Sequence, residues 1–456
     1  MATPRDGTVR PFAVTHRAIL AIAVPASLAM MTEPIVGIVD TALIGRLGDP
    51  NLLGGVALGA VAFDILFSIF FFLRLGTAGL VAQAVGAQDK SGAAAHLVRA
   101  LLIALACGLV VLALMRPITA LMAGIFAAEG AVGDAFGVYF TIRLWSLPLV
   151  LVNFCLAGWL YGRGDARTAL VLAIVTNGTN AAFSVYFVFG LGLGVAGVAW
   201  GTVLAQIVAA LGGAFIVVRH YGGLGAMMAL VPVQSLKSTQ PLKRLFSLSA
   251  SLMIRSVALM AAFAYFAAQG SRAGAVTLAA NAILLNFFSV SAFFLDGIAT
   301  ASEQLCGKAV GANYRPAFRR AVRLTLGWGV VVGGALSLVL YVGGGWLIGL
   351  LTTSDEVRQA AQALLIFAAI TPLTGVAAFV ADGVVTGATM SREMRDGMVV
   401  ASALFFATAF LLQPLWGIEG LWVALNLLFV YRALILFYLV KRRESRLFAA
   451  SELQPA

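Results

Sequence analysis

Asp40 carries the clearest chemistry in this sequence. It lies in PIVGIVDTALIGRLG (residues 34–48), a stretch that is apolar on both sides of a single carboxylate. A charge at the centre of a membrane span costs about 2.5–3.5 kcal/mol even on insertion scales, so a carboxylate kept there has a role. Two roles suit it: taking up and releasing a proton, or ligating a cation. Six residues separate Asp40 from Arg46. At about 1.5 Å per residue, Asp40 then lies roughly 9 Å inside the end of its helix. Glu33 precedes it by two helical turns on the same face, with Gly37 between them. Glu33 is a second candidate for a proton, or a wall for a cationic ligand. Met30 and Met31 beside it are side chains that suit adaptable surfaces as well as plain packing.

A second polar stripe runs through TNGTNAAFSVYFVFG (176–190). Asn177, Asn180 and Ser184 fall at i, i+3 and i+7, on one helical face. Thr202 follows in the next apolar run. These groups can complete a small polar site, or simply tie helices together at about 0.6–2 kcal/mol per bond. Further charges within apolar runs are Asp64, Arg74, Arg143, Arg255, Asp296, Glu303, Asp382 and Arg432. Opposite charges inside one bundle should pair. Arg255 is expected to pair with Asp296 or Asp382, as a structural or gating contact.

The elements that hold these residues follow from composition. The chain has 456 residues, of which 61% are hydrophobic and 11% charged, with a mean hydropathy of +0.99. That pattern predicts an all-α integral membrane protein. Its 49 Gly suit close helix packing in lipid. Twelve apolar spans are expected, near 17–44, 53–75, 94–115, 136–161, 168–189, 195–218, 246–268, 276–301, 321–341, 360–385, 397–415 and 420–440. Cys107, Cys155 and Cys306 lie in apolar runs without metal-ligand spacing, so neither a disulfide nor a metal site is expected. The polar start runs straight into a long span, and no cleaved signal peptide is expected.

Charge fixes the expected topology. With both termini in the cytoplasm, the inner segments hold 22 of the 30 Lys and Arg and the outer loops hold four, Arg46, Arg116, Arg272 and Arg358. The net charge of +11 is therefore read as positive-inside loops rather than as a nucleic-acid surface. The chain also repeats. VGAQDKSGAAA from Val85 aligns with VGANYRPAFRR from Val310, and ASLAM from Ala26 aligns with ASLMI from Ala250. Two six-helix lobes related by a pseudo-two-fold axis along the membrane normal are expected. They would be residues 1–222 and 244–456, joined by a cytoplasmic linker at 223–243.

These motifs together resemble the multidrug and toxic compound extrusion (MATE) transporters, in their DinF-like branch. The first-span segment around Asp40 carries the resemblance. So do LMIRSVALMAAFAYFA (252–267), AANAILLNFFSVSAFFLDGIATASEQLCGKAVGA (279–312) and ADGVVTGATMSREMRDGM (381–398). The resemblance spans essentially the whole chain. It implies a V of two six-helix lobes in a bacterial inner membrane, exporting small amphipathic, often cationic or aromatic, organic molecules, driven by an inward H+ or Na+ gradient. It places Asp40 at the ion-coupling aspartate, with Asn180 and Thr202 beside it, and Pro25 at the bend of the first helix. Relatives commonly carry a second aspartate where this chain has Ser184. One carboxylate offers Na+ fewer charged oxygens than two, so the departure favours H+.

No cofactor beyond the coupling ion is expected, nor a nucleic-acid partner, and the working unit is expected to be a monomer in lipid. No GxxxxGK[ST], HExxH or GxSxG motif is present, which argues against an ATP-driven pump or an intramembrane enzyme. A Na+-coupled antiporter of the same fold remains open. So does a lipid-linked oligosaccharide flippase, although the acidic or neutral residues Glu33, Asp40 and Asn180 suit a pyrophosphate poorly.

Overall fold

The computed structural model describes residues 8–231 and 239–448, apart from the side chains of Glu33 and of 239–250. Residues 232–238 of the expected linker lie outside the described residues. Among the described residues the chain is helical, with no strand. Lipid dictates this, because a spanning segment must satisfy its own backbone hydrogen bonds.

In chain order the helices are α1 (His16–Gly45), α2 (Pro50–Phe70), α3 (Phe72–Gly86), α4 (Lys90–Ala113), α5 (Met115–Ile125), α6 (Gly130–Trp145), α7 (Leu147–Gly162), α8 (Ala166–Val185), α9 (Gly194–His220), α10 (Leu224–Ala229), α11 (Thr239–Arg272), α12 (Ala275–Gly311), α13 (Arg315–Leu351), α14 (Asp355–Gly387) and α15 (Ser391–Leu447). A π-helical turn, Tyr186–Gly190, extends α8. Among the described residues, ten segments are long and apolar enough to cross a membrane, and α6 with α7, bent by 49° at their junction, make an eleventh. The 57 residues of α15 count once in that tally. At 1.5 Å per residue such a helix would measure about 85 Å, far beyond the roughly 30 Å of a hydrocarbon core. It is broken at Gly417, whose φ of 58° and ψ of −130° are non-helical and open chiefly to glycine. Pro414 removes a helical donor just before the break. Counting α15 as two spans gives the twelve expected from sequence. One expected outer loop is different: the stretch holding Arg116 forms α5, a short helix with no buried residue.

The chain divides into two compact units. One comprises Met1–Leu28, Ala82–Gln88 and Lys243–Ala456, and the other Ala29–Val81 and Asp89–Leu242. The division passes through α1 at Leu28 and through α3 at Val81. The first unit is built on a core containing Phe266, Phe288, Phe405, Trp422 and Phe429. Phe266 meets Trp422 edge-on at 5.0 Å, and the Trp422 indole donates to Asn281 Oδ1 at 2.9 Å. The chain's beginning belongs to this unit: Ser27 Oγ donates to the Phe294 carbonyl at 3.2 Å, and the Arg10 N–H donates to the Ala312 carbonyl at 2.9 Å. The second unit has its own core around Ile44, Val56, Tyr139 and Val198. It contains the residues singled out around Asp40.

Candidate functional site

Asp40 stands on α1, five residues before its end, and is 5% exposed. Its Oδ1 accepts from Ser184 Oγ at 3.5 Å, the limit of a hydrogen bond. Ser184 is fully buried because Gly201 of α9 packs directly on it: a side chain at Gly201 would meet Ser184 Oγ and lie 2.7 Å from its backbone nitrogen. The missing side chain lets α8 and α9 approach closely enough to hold Ser184 toward α1.

The polar face of α8 works as the i, i+3, i+7 spacing predicts. Asn180 Nδ2 donates to Thr202 Oγ1 at 2.8 Å. Asn177 does not join that pair. Its Nδ2 donates to Thr32 Oγ1 of α1 at 2.6 Å. The face therefore meets α1 twice, at Thr32 and at Asp40, eight residues or about 12 Å apart along the helix. Thr32 was not singled out from sequence. Its only signal was its place beside Glu33, and the Glu33 side chain lies outside the described residues.

Arg143 is the second residue missed as a site member. Tyr139 and Arg143 are four apart on α6, one turn on the same face. The Arg143 Nη1 donates to Tyr139 Oη at 3.2 Å and to Thr202 Oγ1 at 3.4 Å, and its guanidinium covers the Phe63 ring at 4.2 Å. Its charge acts on Asp40 and on Asp64 of α2. Asp40 is the buried carboxylate of this site, whereas Asp64 is exposed.

The Thr202 hydroxyl has one donor and two acceptor positions. It accepts from Asn180 and Arg143 and donates to the Val198 carbonyl at 3.2 Å, so its capacity is used. Asn180 Oδ1 is buried with no hydrogen-bond partner among the described residues. The acceptors left for a guest are therefore that oxygen and those of Asp40.

Pro25 is buried on α1, which runs without a helical break through both Pro25 and Pro34. The first part of α1 belongs to one unit and the part bearing Thr32 and Asp40 to the other.

A separate charge cluster lies among α11, α14 and α15. Arg255 Nη1 is 3.5 Å from Asp382 Oδ2, and Arg432 Nη2 is 3.0 Å from the same oxygen. The expected partner of Arg255 is thus Asp382, but the closer and more deeply buried partner of Asp382 is Arg432, only 3% exposed. Asp296 acts on Arg432 through its charge.

Residues 25–186 and 251–414 match the MatE family model, one segment in each half of the repeat. The chain belongs to this family of multidrug efflux transporters, whose members are transporters and not enzymes. It is 35% identical over 441 residues to the DNA damage-inducible protein F of Escherichia coli K12, covering 96% of this chain and 95% of that protein. It is 21% identical over 432 residues to the multidrug export protein MepA of Staphylococcus aureus MSSA476, with 94% of each covered. The fold matches a MATE crystal structure in its bent conformation with a TM-score of 0.84 at 18% identity, over 96% of both chains.

Proposed function

We propose that this protein exports small amphipathic organic molecules across a bacterial inner membrane in exchange for protons, with Asp40 as the protonation site. The observation that carries the reading is Asp40 itself: a carboxylate 5% exposed, held by one long hydrogen bond among the described residues. A charge in lipid persists where it moves ions or protons. Protonation would release Asp40 from the pull of Arg143 and loosen its tie to Ser184. The α1 segment from Thr32 to Asp40 could then shift against α8. Pro25, which lacks a backbone donor, is the place where α1 can bend in response. Because α1 runs from one unit into the other, such a bend is transmitted along the chain itself. Alternating access follows if the two protonation states favour different arrangements.

A Na+-coupled cycle is the second reading, and Asn180 Oδ1 is the observation that favours it. That oxygen and Asp40 could begin a cation shell. Two features oppose it: a hard cation seeks several oxygens, while Thr202 is already saturated and Arg143 brings positive charge to the same place.

The test is transport in proteoliposomes loaded with a fluorescent organic cation, with a pH gradient or a Na+ gradient imposed alone. Transport by the pH gradient only, lost in a folded Asp40→Asn variant, is the expected result. Transport driven by Na+ alone would overturn proton coupling and install the second reading.

A further inference from the structure

The first turns of α13 carry a feature outside the cycle proposed for Asp40. Arg315, Arg319, Arg320 and Arg323 line one open-sided depression of about 530 Å³ along α13, together with Pro316 and Leu324. Glu444 near the end of α15 holds two of them. It accepts from Arg315 Nε at 3.0 Å and from Arg319 Nε at 2.6 Å. The Phe318 and Phe448 rings, 5.5 Å apart, fasten the same two helix ends together. Arg320 and Arg323 are exposed on the next turn. Four guanidiniums and one carboxylate leave the depression with a surplus of three positive charges.

We propose that this depression binds the phosphate of an anionic phospholipid headgroup. Guanidinium is the planar, forked donor that matches phosphate oxygens two at a time, and it stays charged at any physiological pH. Glu444 orients Arg315 and Arg319 without neutralising the set, so an anion is still needed to relieve their mutual repulsion. Leu324 adds an apolar wall where the arginines give way to the apolar body of the 37-residue α13. That helix is longer than the roughly 20 residues a hydrocarbon core requires, which sets its arginine end at headgroup level. The four arginines share one open depression within three turns of α13. Clusters of about four to eight Lys and Arg at the cytoplasmic end of a membrane helix bind anionic headgroups. The assignment is independent of the role given to Asp40.

The test uses the full-length protein in detergent, with lipid binding followed by native mass spectrometry. Dioleoyl phosphatidylglycerol is expected to bind at least about tenfold more tightly than dioleoyl phosphatidylcholine, and the Arg320→Gln/Arg323→Gln double variant to lose about tenfold or more of that affinity. Glu444→Gln removes the opposing charge and should tighten phosphatidylglycerol several-fold, a change opposite in sign to damage. Equal binding of the two lipids, or unchanged phosphatidylglycerol binding in a folded double variant, overturns the proposal. Inorganic phosphate displacing phosphatidylglycerol at equal concentration overturns the lipid assignment in favour of a soluble anion.

Discussion

Gly86 and Gly311 occupy matching places in the repeated VGA segments, and their packing is reciprocal. A side chain on Gly86 would strike the carbonyl oxygen of Lys308, and one on Gly311 would strike the carbonyl oxygen of Gln83. Both pairs are related by the 225-residue offset of the repeat. The ends of α3 and α12 therefore meet backbone to backbone, with the local symmetry of the sequence duplication.

The obstructing atoms are backbone carbonyls, which cannot swing aside. Gly86→Ala and Gly311→Ala should each destabilise the protein by about 1–3 kcal/mol through overpacking. Gly327→Ala on α13, where nothing lies within 4 Å, should be neutral or slightly stabilising. Thermal unfolding of the three purified variants in one detergent checks the order; equal midpoints would contradict the tight crossing.

Asp40 and Arg143 should be energetically coupled. Arg143→Gln leaves Asp40 and Asp64 without their cation and is expected to destabilise, while Asp40→Asn removes a buried charge. If the two act on each other, the double variant departs from additivity by about 0.5–3 kcal/mol. A double-mutant cycle in thermal or denaturant unfolding measures the term. Strict additivity would place Arg143 outside the site.

Ser184 makes only a 3.5 Å contact with Asp40. Ser184→Ala is expected to change stability by about 0.5 kcal/mol or less and to retain proton-driven transport, since such a bond lies at the edge of useful geometry. Abolished transport in a folded Ser184→Ala variant would make its hydroxyl an ion ligand, in favour of Na+ coupling.

In the α11–α14–α15 cluster, burial ranks the effects. Asp382→Asn strips Arg432, at 3% exposure, of its close partner. That should cost about 3–5 kcal/mol. Arg255→Met should cost less, because Asp382 keeps Arg432 at 3.0 Å. The readout is the detergent-solubilised melting midpoint beside transport. A stable, inactive Asp382→Asn protein would instead assign this cluster to the transport cycle.

Hydropathy made the spans, their order and the burial of Asp40 legible, because a lone carboxylate in an apolar run stands out whatever surrounds it. The i, i+3, i+7 face of α8 was legible because helical spacing is fixed by geometry. The partners were not. Which way α1 and α6 turn about their axes decides that Asn177 finds Thr32 and that Arg143 reaches Thr202, and a nearly uniform apolar background leaves that rotation unmarked. For the same reason Arg255 could be matched to Asp382 in outline, while Arg432, placed on α15 far along the chain, was recognised as a buried charge without a partner. The break at Gly417 was visible only as the gap between the expected spans 397–415 and 420–440.

The reach of the chain's first residues has a consequence for how the protein is made. Ser27 bonds to Phe294 across 267 residues of sequence, and Met1–Leu28 belongs to the unit formed mainly by Lys243–Ala456. The opening half of α1 is thus synthesised long before its neighbours exist. The usual order, in which an N-terminal domain is complete before the next emerges, is closed to this chain. That segment of α1 stays without its partner in the membrane until α12 arrives.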